Sequence, residues 1–261
     1  MNSRVPACLA AAALAAAGGC AAPARQAAVG APAATAETTP ADLPTHPFAA
    51  MRERIAGRSV EDRPIEVWTI GTGDVVVLII ASIHGDEAAG TPLLERLAFE
   101  LRARPELVEG RTVVLVPQAN PDGVALGRRT NVNGVDLNRN FPASNYRARR
   151  RNGAGPLSEP ESRALHDLIL DVGPDRVISM HQPLQCIDFD GPAEELAEAM
   201  SEACDLPVKR IGAMPGSLGS WVGLERGIPI VTVELPGAAR RWGRDELWER
   251  YGQAITKAVA F

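Results

Sequence analysis

The chain has 261 residues, 46% apolar and 23% charged, with a net charge of −5. Such a composition suits one globular domain with a sizeable core. It argues against a nucleic-acid binder, which normally carries a basic patch, and beyond the N-terminus no segment approaches the roughly 18 consecutive apolar residues of a membrane span.

The chain opens with "MNSRVPACLAAAALAAAGGCAAP", in which Arg4 precedes an Ala-rich apolar stretch and then small residues. That order predicts a secretory signal peptide over residues 1–20. The ending "AGGC" at Cys20 is similar to a bacterial lipoprotein signal, although Ala17 stands where Leu is usual. Lipidation of Cys20 would make the protein an exported, periplasmic, membrane-anchored lipoprotein. The alternative is an ordinary cleaved signal with an incidental cysteine. Residues 21–46 are rich in Ala, Pro and Thr and have little to bury, which predicts a disordered linker. The folded domain is expected over residues 47–261.

Within that domain "RPIEVWTIG" alternates like a strand, and "GTGD" is a turn. "VVVLIIASI" is a continuous apolar run, as in a strand covered on both faces. "EAAGTPLLERLAFELRA" has helical spacing, with Leu93, Leu94, Leu97 and Leu101 on one side. "RTVVLVPQANPDG" is a second buried strand ending in turn residues, followed by a long loop from Asn120 to about Pro156. Ser158 and Glu161 stand in capping-box spacing ahead of the helix "SEPESRALHDLILDV". "DRVISMH" is a short strand, "PAEELAEAMSEACD" a helix, "IPIVTVELP" a buried strand, and "RDELWERYGQAITKAVAF" a closing helix. Alternating strands and helices predict a single α/β domain with a mixed, largely parallel central sheet flanked by helices. His84, Asn120, His181 and Glu234 all fall at strand ends, where such sheets place their ligands.

The segment "ASIHGDEAAG" sets His84 and Glu87 three residues apart. Alone, the pair reads equally as the polar first turn of a helix, where the dipole favours a carboxylate. Four histidines exist in the chain. His46 lies by the linker and His166 sits within a helix, so His181 is the remaining candidate for a third ligand. Three ligands drawn from His and carboxylate, with a position left for water, are the common donor set of catalytic zinc.

The loop "NPDGVALGRRTNVNGVDLNRNFP" then extends the pattern. His-x-x-Glu, Asn-Pro-Asp-Gly, Arg-x-Asn, Gly-Val-Asp-Leu-Asn-Arg-Asn-Phe, a lone His and a strand ending in Glu stand in the order of the carboxypeptidase A-like zinc metallopeptidases, which this chain resembles from about Trp68 to Pro236. The resemblance implies one Zn²⁺ per chain on His84, Glu87 and His181. It implies Glu234 as general base, Arg129 as the carbonyl-polarising group, and Asn138 with Arg139 as the clamp for a substrate carboxylate. Asp136 takes the place of the acid that orients the first ligand histidine, a role with a clear physical purpose. Arg128 competes with its neighbour Arg129 by position alone.

Within that family the segments "SMHQPLQCID" and "MPGSLGSWVGLERGIPIVTVELP" resemble the murein peptide amidases. The implied substrate is a cell-wall peptide cut between γ-D-glutamate and diaminopimelate. Those amidases work on recycled peptides in the cytoplasm, whereas an exported chain would meet wall peptides in the periplasm. Digestive-type members carry a tyrosine that closes over the substrate. This chain has Tyr146 and Tyr251, and none between His181 and Glu234. Residues 216–221 are implied to line the specificity pocket, with Met214, Leu218 and Trp221 equally readable as core. No Lys or Arg occurs in 211–221, so this segment offers no cation to a distal carboxylate. General carboxypeptidase activity, a zinc N-acyl-amino-acid deacylase and a non-enzymatic binding protein are the competing readings. Cys186 and Cys204 read equally as a disulfide or as free thiols.

Overall fold

Seven strands build one sheet in the computed structural model, which describes residues 48–261: β1 (Met51–Arg58), β2 (Pro64–Gly71), β3 (Val75–Ile80), β4 (Arg111–Val116), β5 (Arg176–His181), β6 (Leu184–Asp190) and β7 (Ile230–Pro236). The expected signal peptide, Cys20 and the linker lie outside the described residues. The spatial order is β1-β2-β4-β3-β5-β7-β6. The four central strands, β4, β3, β5 and β7, run parallel. β3, β4 and β7 are rich in Val, Ile and Leu, and β5 is buried along its whole length, as expected of strands covered on both faces. The pairs nearer the edges, β1/β2, β2/β4 and β6/β7, are antiparallel. The parallel character is thus confined to the centre.

Five helices cover the sheet: α1 (Gly90–Ala103), α2 (Pro121–Leu126), α3 (Pro160–Val172), α4 (Glu194–Ser201) and α5 (Arg244–Ala260). On one face Leu93, Leu94, Leu97 and Leu101 of α1 join Leu196 of α4 and Leu247, Ile255 and Val259 of α5 in a single core cluster. On the other, Leu165, Leu168 and Ile169 of α3 pack with Leu137, Phe141, Trp221 and Val222 from the connecting segments. Complete burial of each such side chain stabilises the fold by roughly 1.5–3 kcal/mol.

Three local expectations are corrected. Helix α1 begins at Gly90, so Glu87 lies in a turn before the helix, with its backbone N–H bonded to His84 O. The Ser158/Glu161 capping box does not form. Glu159 is the N-cap residue of α3, and Glu161 instead accepts hydrogen bonds from Val60 N and Asn131 Nδ2. The stretch 120–156 is more regular than a loop, because Asn120 caps α2 by accepting from Gly123 N. Cys186 and Cys204 are both free thiols.

Candidate active site

The carboxyl ends of β3, β5 and β7 meet at one point. Past β3 the chain stays tied to the segment that follows β4, with Ala119 N bonded to Ala81 O and Asn120 N to Ser82 O. It then crosses close over α2 at Gly85, where a Cβ would lie 1.9 Å from the Gly123 carbonyl carbon. This close approach demands glycine. It delivers His84 and Glu87 to the sheet end. β5 ends at His181, which pairs in register with Glu234 on β7. Parallel neighbours at equal height place the two side chains beside each other without a loop between them.

His84 Nδ1 and His181 Nδ1 lie 3.1 Å apart, and Glu87 Oε2 is 2.9 Å from each. Potential ligand atoms of the three residues all fall within 4.8 Å of one another, and all three side chains are buried. Two ring nitrogens facing one carboxylate oxygen are well satisfied by a shared cation. Two imidazoles and a carboxylate match the donor set of catalytic zinc, so the residues fit the metal.

The surrounding groups orient these three. Asp136 Oδ1 is 3.0 Å from His84 Nε2, which leaves Nδ1 turned to the metal position. Gln182 N donates to Glu87 Oε2, and the Gln182 side chain links Ala89 N to Pro236 O. Arg129 bridges Glu87 Oε1 at 2.7 Å and Asp136 Oδ2 at 3.1 Å. Burial opposes ionisation of Glu87 and Asp136. Hydrogen bonds from His181 and His84 to the first, and from His84 to the second, nonetheless hold both well below the usual carboxylate range. Glu234 shifts the other way, because burial pushes its carboxyl above the ordinary glutamate value, partly offset by His181. Leu184 N donates to its Oε2. A base with a raised pKa holds a proton more readily than a solvated carboxylate does.

Arg129 and Arg139 both line a cavity of about 260 Å³ together with His84, Glu87, His181 and Glu234. Arg128 is exposed and does not line it. Asn138 also lines this cavity, with Nδ2 3.4 Å from His181 Nε2, while its Oδ1 accepts from Leu218 N and ties the motif loop to the 214–221 segment. Arg139 is half-buried and forms no ion pair among the described residues. A half-buried guanidinium without a carboxylate partner is prepared for an anion.

The structure thus brings His84, Glu87, Arg129, Asp136, Asn138, Arg139, His181 and Glu234 together. Asn120, another strand-end residue, serves as a helix cap, donating to Ile83 O as well. Leu218 and Trp221 are core residues, whereas Ser217, Gly219 and the half-exposed Met214 line the cavity. His166 stacks on Trp221, with ring centroids 4.7 Å apart. Neither tyrosine lines the cavity: Tyr251 is in the core, and the Tyr146 hydroxyl bonds to Asn152 O and Gly153 O. Gln182, Asp188 and Asp190 also line the cavity and were not expected from the sequence. The signal for the two aspartates was the polar alternation in "LQCIDFD", which marks β6 with one face toward the site.

Comparison with known proteins gives a concordant picture. A family model described as zinc carboxypeptidase matches residues 45–190. Murein peptide amidase A of Escherichia coli (strain K12) is 39% identical over 192 residues, covering 67% of this chain and 75% of that protein. The crystal structure of murein-tripeptide amidase from Escherichia coli O157 superposes with a TM-score of 0.65 at 34% identity, covering 80% of this chain and 92% of the other. Carboxypeptidase A from Helicoverpa armigera superposes at 0.66 with 19% identity, over 81% and 69% of the two chains, a likeness of fold alone.

Proposed function

The chain belongs to the zinc carboxypeptidase family and is a metallopeptidase-type hydrolase, and from that premise we propose that it is an exported zinc amidase cutting γ-D-glutamyl–diaminopimelate bonds in cell-wall peptides. The observation that carries this reading is the cavity itself. It holds an imidazole–imidazole–carboxylate triad, a buried glutamate in register with the third ligand, and an arginine, Arg139, with no ion-pair partner among the described residues.

His84, Glu87 and His181 would hold the zinc. When bound, the metal lowers the pKa of a water and polarises the scissile carbonyl. Glu234 takes the proton of the attacking water and passes it to the departing amine. Arg129, at the cavity wall, faces the developing oxyanion and adds a preorganised positive charge. Arg139 and Asn138 hold the free carboxylate of the leaving residue, which fixes the amide between water and base. Asp136 keeps His84 in the tautomer that offers Nδ1.

The amidase reading is favoured over a general carboxypeptidase by the similarity to murein peptide amidases and by the lack of a cavity tyrosine. Export is supported by Arg4, the Ala-rich run and the small residues before Cys20. An acylated Cys20 would add the membrane as a partner.

The test is hydrolysis of L-Ala-γ-D-Glu-meso-diaminopimelate beside an ordinary α-linked C-terminal peptide, with products identified by mass spectrometry. Diaminopimelate is expected from the first, with little release from the second. Efficient trimming of the second alone would assign general carboxypeptidase activity instead.

A further inference from the structure

Positive charge is gathered in one part of an acidic chain. Between Gly123 and Leu157 stand seven arginines, no lysine and a single acid, Asp136, although the net charge of the whole is −5. Arg129 is committed to Glu87 and Asp136, and Arg139 lines the catalytic cavity. The other five, Arg128, Arg147, Arg149, Arg150 and Arg151, are exposed and form no ion pair among the described residues. Arginines elsewhere behave differently: Arg54, Arg63, Arg96 and Arg250 each reach a carboxylate. Surfaces ordinarily intersperse the two signs of charge, and a single-sign field is the arrangement that steers a charged partner.

The segment that carries these charges is fixed from within. Asn152 is buried; its N–H donates to Arg149 O at 2.8 Å, its Nδ2 donates to Arg147 O at 2.8 Å, and its carbonyl accepts from Asn140 Nδ2 at 2.7 Å. Arg151 O accepts from Asp136 N at 2.7 Å, and the Asp136 side chain in turn holds His84. Asn145 Oδ1 accepts from Gly216 N, beside the lining residues Met214 and Ser217. The arginine loop therefore flanks the catalytic cavity on a backbone tied to the motif loop. Two exposed acids come near this region, Glu225, which accepts from Ser144 N, and Asp86, which acts on Arg129. Neither pairs with the five free arginines.

We propose that Arg147, Arg149, Arg150 and Arg151, with Arg128, form a docking surface outside the catalytic cavity for the carboxylate-bearing wall polymer, so that the protein acts on peptides still attached to the wall rather than on released ones. This rests on the cell-wall reading and goes beyond it by separating polymer from free peptide. A γ-linked glutamate leaves its α-carboxylate free, and a guanidinium fork suits a carboxylate. One exposed ion pair contributes little. Carboxylates repeated along a strand engage several arginines together, at the effective concentration that the strand supplies. Two observations favour the wall over a lipid surface. The segment lacks the aromatic face of membrane-surface elements, since Phe141 is buried and the Tyr146 hydroxyl is turned to Asn152 O and Gly153 O. The described chain also enters the domain at the opposite edge of the sheet. There Ala49 N bonds to Arg102 O in the last turn of α1, and Met51 pairs with Ile70, itself paired with Val113 in the first half of β4. An N-terminal anchor thus draws the domain to a membrane by the edge far from the arginine loop.

The experiment is co-sedimentation of the zinc-loaded full chain, carrying Cys20→Ala so that no acyl group contributes. Its partners are purified wall sacculi, the same sacculi with their carboxylates converted to amides, and phosphatidylglycerol vesicles. Binding to native sacculi is expected, with little to amidated sacculi or to vesicles. Raising the salt from about 0.05 M to about 0.5 M should release most of it, because exposed charges are screened. Replacing Arg147, Arg149, Arg150 and Arg151 together by Gln should weaken binding by roughly 10–100-fold. Zinc content and hydrolysis of the soluble tripeptide L-Ala-γ-D-Glu-meso-diaminopimelate should change little, which reports an intact fold. Equal binding by the two proteins would overturn the proposal, as would equal binding to native and amidated sacculi or salt-insensitive binding. Tighter binding to the vesicles than to sacculi would also overturn it and assign the surface to a membrane. If the tripeptide is not cut at all, the amidase reading fails, while the charge and salt dependence of sedimentation still decides the docking surface.

Discussion

At the scale of single residues, the site separates groups that bind metal from groups that bind substrate. Arg129 is committed to Glu87 and Asp136, whereas Arg139 has no ion-pair partner among the described residues. Arg139→Ala should therefore lower kcat/KM on a substrate with a free α-carboxylate by roughly 10–100-fold, the range expected for a charge-assisted contact. The same substrate with that carboxylate amidated should be cut poorly by both proteins, with little difference between them. Steady-state kinetics on the matched pair checks this, and an equal fall on both substrates would assign Arg139 a structural role. His84, Glu87 and His181 were legible in the sequence because histidine is scarce there and the motif order is long. Gln182, Asp188 and Asp190 were not, because a polar residue in a short strand has many uses and only the sheet register reveals which cavity it faces.

At the scale of elements, the motif "NPDG" is chiefly architecture. Asn120 caps α2, Gly123 admits the chain at Gly85, and Asp122 ties α2 to the β1–β2 hairpin. Asp122 is fully buried, accepting from Ser59 Oγ at 2.7 Å and Glu61 N at 3.0 Å, and pairing with Arg63. Burial opposes its ionisation, but these bonds hold its pKa below the ordinary value of 3.8. A depressed carboxylate contributes stability that is fully present above its unfolded pKa and is lost as pH falls through the folded one. Asp122→Asn should therefore cost about 1–3 kcal/mol at pH 7, a cost that shrinks below about pH 4. Denaturant unfolding of both proteins at the two pH values checks this; an equal cost at both would remove the charge from the explanation.

The strands legible in the sequence were β2, β3, β4, β5 and β7, of which β3, β4 and β7 are rich in Val, Ile and Leu. β1 was missed because an edge strand exposes its charged side chains, and "MRERIAGR" has no apolar face to announce it. β6 was missed because its site-facing positions are Cys and Asp. The capping box failed for a tertiary reason: Glu161 is drawn to Val60 and Asn131, contacts that local spacing does not encode.

At the scale of the whole molecule, a parallel centre with antiparallel flanks gathers three strand ends at one point, and the helices on both faces hold those ends fixed. Residues 1–47 lie outside the described residues, so their role is read from the sequence alone. If Cys20 is acylated, the full-length chain expressed in a Gram-negative bacterium should fractionate with membranes, and Cys20→Ala should move it to the soluble periplasmic fraction. Identical fractionation of the two would favour an ordinary cleaved signal.

The central claim is that a metal held by His84, Glu87 and His181 works with Glu234 as the base. Its most direct test measures zinc content and diaminopimelate release together, for the wild type and Glu234→Gln. The account predicts about one zinc per chain in both proteins, with turnover in the variant reduced by at least roughly 10²–10⁴-fold, the usual contribution of general acid–base catalysis. Near wild-type turnover in Glu234→Gln, or turnover by wild-type protein carrying no metal, would contradict it.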